Sequence, residues 1–307
     1  MLTDFVTPAP SAVDFIGRLA LGTVQFGLDY GINNTAGRPT DATVSEILQT
    51  AQAAGLNLLD TAAGYGDSEM RLGDWLSQHK EPSAPFELVT KLAAGPTRRV
   101  RQQLGESLGR LRQASIHGIL FHDFNALRQE PAAWAALQEA RAAGIVKRIW
   151  VSLYHPHEAE WLLAHDLDID LVQVPFKVLD QRFGTILPTL QQRGVEVHVR
   201  SAFLQGLLLR EPATLPIFFK PLTAKITQIH RLAHEAGIPL TALLLLFAAF
   251  APGVSRAVVG VESAANLREN LAAAAYIPQA AQLRTALEEL VESTDEYILP
   301  YKWPPRS

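Results

Sequence analysis

Four residues in the first 122 have side chains able to move a proton or hold a charge at a reaction centre: Asp60, Tyr65, Lys91 and His122. Asp60, Lys91 and His122 each close a short apolar run (LNLLD, FELVTK and HGILFH) and follow one another at intervals of 31 residues, while Tyr65 sits just past the first, in the loop TAAGYGDSE. A free tyrosine, with a pKa near ~10, is a poor acid at neutral pH. An ammonium buried beside it stabilises the phenolate and lowers that value. The ammonium in turn needs a counter-charge, which Asp60 can supply. A histidine nearby can donate to a carbonyl oxygen and fix its orientation. An acid poised over a carbonyl oxygen is half of a carbonyl reduction. The other half is a hydride, which no side chain supplies, so a nicotinamide cofactor is implied. Taken singly, each residue has an ordinary structural reading: Asp60 a cap, Lys91 a solvated lysine, His122 a core histidine, Tyr65 a loop aromatic. Their joint placement carries the functional reading.

That placement depends on the elements beneath it. Short β-rich runs at 18–23, 56–60, 86–91, 117–122, 147–152, 169–174, 195–200 and 255–260 alternate with amphipathic stretches such as ATVSEILQTAQAAG and RRVRQQLGESLGRLRQ. Several of these stretches stop at a glycine (Gly55, Gly144, Gly194), the usual signal just past a helix. Successive strand ends lie 21–38 residues apart, and the last interval is 60. Nearly continuous apolar strands in such alternation form a parallel sheet covered by helices, and eight of them predict a closed (β/α)8 barrel. The long last interval predicts an insertion around strand eight. The whole chain, 1–307, reads as one barrel domain with an N-terminal arm (1–17) and a C-terminal tail (293–307). In such barrels the active site lies at the carboxyl ends of the strands, here Asp60, Lys91, His122, Ser152, Gln173, Arg200 and the loop after Gly260. Ser68 is expected to cap the helix after Tyr65. The loops 24–42, 123–131 and 201–220 and the tail are expected to set the substrate, with the proline-rich 209–221 as a lid or lip.

Composition narrows the choice further. With no cysteine, thiolate metal sites, iron–sulfur clusters and a cysteine nucleophile are excluded. A net charge of −4 gives no basic excess to attract nucleic acid or an anionic membrane. The N-terminus carries acids and prolines but no apolar run, so no signal peptide is expected, and a cytoplasmic protein is. The longest apolar stretch, residues 239–254, is shorter than a spanning helix and predicts a fully buried one.

Several segments together resemble the aldo-keto reductase family: LGTVQFG (21–27), LLDTAAGYGDSEMRLGDWL (58–76), LVTKL (88–92), ILFHD (119–123) and VVGVESAANLREN (258–270). The resemblance implies a proton-donating Tyr65, supported by Asp60 and Lys91, and an orienting His122. It implies NADP(H), bound without a Rossmann domain, and the sequence holds no GxGxxG after any strand. The positions it assigns to the cofactor are Gly22, Thr23, Asp60, Ser152, Gln173, Arg200, Ser201, Leu204 and Gly206, and then Gly260, Val261, Glu262, Ser263, Asn266, Glu269 and Asn270. The family commonly has Ser-Asn where Ser152-Leu153 stands, so only the serine carries over. Arg200 replaces an aromatic that stacks on the nicotinamide, and a guanidinium plane can also stack. No lysine or arginine stands at 260–266 and Glu262 would repel a 2′-phosphate, so NAD(H) is the alternative cofactor. The substrate implied is a small or sugar-like aldehyde or ketone. The competing reading is a non-catalytic nicotinamide-binding barrel acting as a redox-responsive partner. A metal-dependent barrel enzyme would need more converging carboxylates and histidines than Asp60 and His122, so no metal is expected.

Other polar groups read as structural. His230 and His234 lack the glutamate of a metalloprotease helix. His155 and His157 flank a helix start, Asp166, Asp168 and Asp170 form a solvated turn, and Arg98, Arg99 and Arg101 belong to a polar helix face.

Overall fold

The computed structural model describes residues 11–34, 37–79, 85–93, 96–165 and 167–304. Eight strands close into one parallel barrel in sequence order. They are β1 (Leu19–Gly22), β2 (Leu58–Asp60), β3 (Glu87–Leu92), β4 (Ile116–Phe121), β5 (Val146–Ser152), β6 (Leu171–Pro175), β7 (Glu196–Arg200) and β8 (Arg256–Gly260). Each falls within a residue or two of the run expected from sequence, and the (β/α)8 architecture is as predicted. The helices between them cover the outside. The stop signals hold as well: Gly55, Gly144 and Gly194 have φ of +79°, +72° and +74°, a region that disfavours other residues.

The long interval before β8 contains three 3-10 turns and two helices, Thr223–Glu235 and Leu240–Ala249. From Ala242 to Ala249 every side chain of the second helix is buried, as its all-apolar sequence requires. No single helix among the described residues is long and apolar enough to cross a membrane. The described part of the N-terminal arm is packed down. Its helix Ala12–Gly17 has a Ser11–Asp14 capping box, buries Phe15 and stacks that ring on Phe250 at 6.0 Å.

The barrel interior is a separate small core of Ala20, Leu58, Val89, Leu120, Trp150 and Leu171. Gly118 leaves room for the Trp150 ring, because a Cβ there would lie 2.9 Å from it. Below this layer the amino end of the barrel is polar. The edges of His117 and His198 meet Trp150, with centroids 6.0 and 5.1 Å away. His198 pairs with Glu196 at 3.0 Å, and Arg256 lies 3.8 Å from Glu196 and 3.9 Å from Glu87. Burial holds both imidazoles below the usual histidine range, so they are neutral at pH 7. The chemistry expected at the opposite, carboxyl end therefore rests on a floor already filled by side chains.

Candidate active site

The carboxyl ends of the strands open onto a cavity of about 550 Å³, within the range of ligand sites. Parallel register puts Asp60, the last residue of β2, beside β3, where Lys91 projects into the same layer. The Lys91 ammonium is buried against Asp60 Oδ1 and donates to the Thr61 carbonyl at 3.0 Å. The other carboxylate oxygen, Oδ2, accepts from Gln173 Nε2 at 2.8 Å. Burial alone would lower the Lys91 pKa, but the Asp60 carboxylate and the Tyr65 side chain outweigh it and hold the ammonium above the ordinary lysine value. Lys91 lies behind the cavity wall, 4.9 Å from the centroid of the Tyr65 ring, whereas Tyr65 itself lines the cavity. His122 meets the Tyr65 ring edge-on at 6.1 Å. Burial, then the Lys91 and Arg200 cations, push His122 down to about 4, so its imidazole is neutral at pH 7 and carries one N–H to donate.

Backbone contact places the Tyr65 loop. A Cβ on Gly27 would fall 1.7 Å from the Tyr65 carbonyl oxygen, and one on Gly66 would fall 2.4 Å from the Gly27 oxygen, so the loops after β1 and β2 touch main chain to main chain. Ser68 seals the contact. It is the first residue of the helix Ser68–Gln78 and not its cap, which is Asp67. Its buried hydroxyl lies 2.9 Å from both the carbonyl and the hydroxyl oxygens of Thr23, a tertiary partner that the local cap pattern does not reveal.

The remaining positions assigned from sequence divide into two groups. Gly22, Thr23, Gln173, Arg200, Ser201, Gly206, Gly260, Val261, Glu262, Asn266, Glu269 and Asn270 all line the cavity that Tyr65 lines. Three do not reach the wall. Ser152 is buried beside Gln173, Leu204 belongs to the core, and Ser263 caps the helix Ala264–Ala272, accepting from Asn266 N at 3.2 Å. The Arg200 guanidinium lies over the Tyr154 ring at 4.3 Å and donates to the Leu153 carbonyl. After it the backbone turns left-handed at Ser201, Leu204, Gln205 and Gly206, an uncommon and strained run. Two bonds stitch this loop to residues 32 and 33: Ile32 N to Gln205 O at 2.9 Å and Asn33 Nδ2 to Gly206 O at 2.7 Å.

Sequence reading missed Gln25, Tyr30, Tyr154 and Tyr301. Burial and the nearby Tyr65 push the Tyr30 hydroxyl up to about 12, keeping it protonated. The C-terminal tail folds over the opening, with Tyr301 edge-on to Tyr154 at 4.9 Å. Ion pairs hold the tail, from Arg182 to Asp295 at 2.8 Å and from Lys302 to Asp295 at 3.0 Å. Segment 209–221 packs on the tail, with Phe219 against Trp303 at 4.7 Å, and of its residues Leu209 lines the cavity. Residues 123–131, expected to face the substrate, are absent from the cavity lining among the described residues; they carry the helix Phe124–Gln129, whose Phe124 is buried.

Several of the groups read as structural have structural partners. His230 Nε2 bonds the Leu208 carbonyl, and His155 and His157 stack on each other at a helix start. The acidic turn is paired and not simply solvated: Arg141 binds both Asp168 and Asp170, while Asp166 lies outside the described residues. No group of three or more metal-ligating side chains occurs among the described residues.

Residues 18–291 match the family model described as aldo/keto reductase family. The chain belongs to that family. It is therefore an oxidoreductase of a family that uses nicotinamide cofactors. Curated relatives include the L-galactose dehydrogenase of Arabidopsis thaliana, 26% identical over 81% of this chain and 83% of that one. The pyridoxal 4-dehydrogenase of Microbacterium luteolum is 26% identical over 82% and 88%. Among solved structures, the holo form of an aldo-keto reductase from Bacillus halodurans superposes with a TM-score of 0.73 at 20% identity, over 90% of this chain and 93% of that one.

Proposed function

We propose that this aldo-keto reductase converts an aldehyde or ketone to the alcohol, on a small or sugar-like substrate, with Tyr65 as the proton donor. The observation that carries the reading is the buried Asp60–Lys91 pair with its ammonium directed at the Tyr65 ring. A reduced nicotinamide, NADH or NADPH, supplies the hydride when bound. The cavity suits such a group. Beyond its size, Gln25 presents a buried side-chain oxygen with no partner among the described residues, packed where a Cβ on Gly260 would sit. Gln173 would hold the ring end and residues 260–270 the other end, with the loop Ser201–Gly206, which meets Glu262 across Gly31, running between them.

The protein's own contribution is placement and charge. Neutral His122 donates its N–H to the substrate oxygen and fixes that oxygen near the Tyr65 hydroxyl. As the carbonyl carbon gains hydride, its oxygen takes the Tyr65 proton, which leaves the alcohol and a phenolate. The Lys91 ammonium stabilises the negative charge on the Tyr65 oxygen, while Asp60 keeps the ammonium in place. Solvent then returns a proton to Tyr65. Tyr154, Tyr301 and Arg200 wall the substrate side.

The test is to mix the protein with NADH or NADPH, follow cofactor fluorescence, and then add a panel of aldehydes and ketones. Tyr65→Phe is expected to bind cofactor like the parent and lose most turnover, at least ~100-fold for a general acid. Unchanged turnover would remove Tyr65 from the acid role.

A further inference from the structure

We propose that the chain prefers NAD(H) to NADP(H), with Glu262 setting the preference by accepting hydrogen bonds from the hydroxyls of the adenosine ribose. The proposal rests on the nicotinamide reading above and adds to it which dinucleotide the site selects.

Geometry fixes which end of the cavity matters. Hydride transfer to a carbonyl at Tyr65 and His122 requires the nicotinamide ring there. In the closed strand order β8 stands across the barrel from β4, which leads into His122, so an extended dinucleotide has room to send its adenosine half along the reach after β8, lined by Gly260, Glu262, Asn266, Glu269 and Asn270. That reach holds two carboxylates. Glu262 is part-buried, with its Oε1 3.9 Å from where a Cβ on Gly31 would sit. Burial, and then repulsion from Asp29, raise the Glu262 pKa, so the local environment already disfavours negative charge. Glu269 accepts from the Thr241 hydroxyl at 2.7 Å.

A 2′-phosphate would add between one and two negative charges to this surface. It needs a cation, and the arginines nearby are already engaged: Arg210 donates to the Ile32 carbonyl at 3.5 Å. Arg200 is the one lysine or arginine among the residues lining the cavity; it belongs to the Tyr65 end and is stacked on Tyr154. Arg268, six residues beyond Glu262, is turned outward to Glu46 at 3.0 Å. Arg38 is engaged by Asp67 at 3.1 Å. A carboxylate is the natural acceptor for ribose hydroxyls, whereas an arginine accommodates a 2′-phosphate. The side chains at this end match the first and oppose the second.

The test is equilibrium binding, which needs no substrate. NADH and NADPH are titrated separately into the full-length protein while cofactor fluorescence and tryptophan quenching are followed. Wild type is expected to bind NADH at least tenfold more tightly than NADPH. Glu262→Gln removes the charge at nearly constant shape and is expected to narrow that ratio at least threefold. Glu262→Arg is expected to bring NADPH level with NADH or ahead of it, with circular dichroism confirming the fold. Equal or tighter NADPH binding by wild type overturns the proposal, as does an unchanged ratio in Glu262→Gln. Failure of both dinucleotides to bind overturns the nicotinamide reading itself, a different outcome from a wrong preference.

Discussion

Replacing Asp60 by asparagine isolates the charge at the centre of the site. The side chain keeps its size, and its oxygen can still accept from Gln173, but Lys91 is left as an ammonium buried without a counter-ion. Breaking one side of a buried pair typically destabilises by about 3–5 kcal/mol. A ceiling follows from the alternative open to Lys91, which is to lose its proton. With an ordinary lysine value of 10.5, deprotonation at pH 7 costs about 5 kcal/mol, and at pH 9 about 2 kcal/mol. The variant is therefore expected to be about 4 kcal/mol less stable at pH 7 and only about 2 kcal/mol less stable at pH 9. In the wild type the raised Lys91 pKa works in the same direction: its stabilisation is fully present below 10.5 and is lost only as pH rises through the higher folded-state value. At about 2 cal/mol/K of unfolding entropy per residue, a chain of 307 residues loses about 1.5 °C of Tm per kcal/mol, so Asp60→Asn should melt about 6 °C lower at pH 7. Scanning calorimetry or urea unfolding at the two pH values measures this, and Asp60→Asn/Lys91→Met completes the cycle. The double variant should recover more than half of the loss. A penalty below about 1 kcal/mol at pH 7, or one that does not shrink at pH 9, would refute the reasoning.

Three further outcomes are expected. His122 has a folded-state pKa of about 4 against an ordinary 6.5, so protons favour the unfolded chain and stability falls as pH drops from 6.5 towards 4, by about 3 kcal/mol; urea midpoints for His122→Asn should show a shallower acid decline than wild type, and parallel declines would contradict this. Gly27→Ala pushes a methyl into the Tyr65 carbonyl and should lower kcat by about 100-fold in a folded protein, whereas Gly17→Ala, which meets nothing, should be silent in the same assay. Arg182→Ala frees Asp295 from the barrel and should speed proteolytic clipping of the tail and raise KM more than it lowers kcat; a tail as resistant as in wild type would show that the Phe219–Trp303 contact suffices.

The barrel was legible in the sequence because strand ends are marked locally. An apolar run, a polar residue at its close and a glycine after several of the helices are short-range signals, and parallel register then brings Asp60 and Lys91 together without further information. The cavity wall was less legible. Gln25 lies on a four-residue turn of helix, Val24–Gly27, too short for any periodicity to show, and its side chain occupies space left by Gly260, 235 residues away. Tyr154 and Tyr301 meet through the path of the tail, which ion pairs from Arg182 and Lys302 decide. Ser68 reads as a cap by composition, yet its hydroxyl is drawn to Thr23, 45 residues away at the end of the neighbouring strand. In each case the deciding partner is distant in sequence, where local pattern carries no information.

The polar floor of the barrel has an optical consequence. Trp150 is wholly buried, and its ring is met edge-on by two imidazoles that the fold keeps neutral. Protonated imidazole quenches indole emission far more strongly than neutral imidazole does. Any event that admits water to the amino end and lets His198 take a proton would dim this one chromophore, whatever is happening at Tyr65. Trp150 is thus a built-in lamp at the far end of the molecule from the cavity, able to report loosening of the barrel separately from events at the mouth.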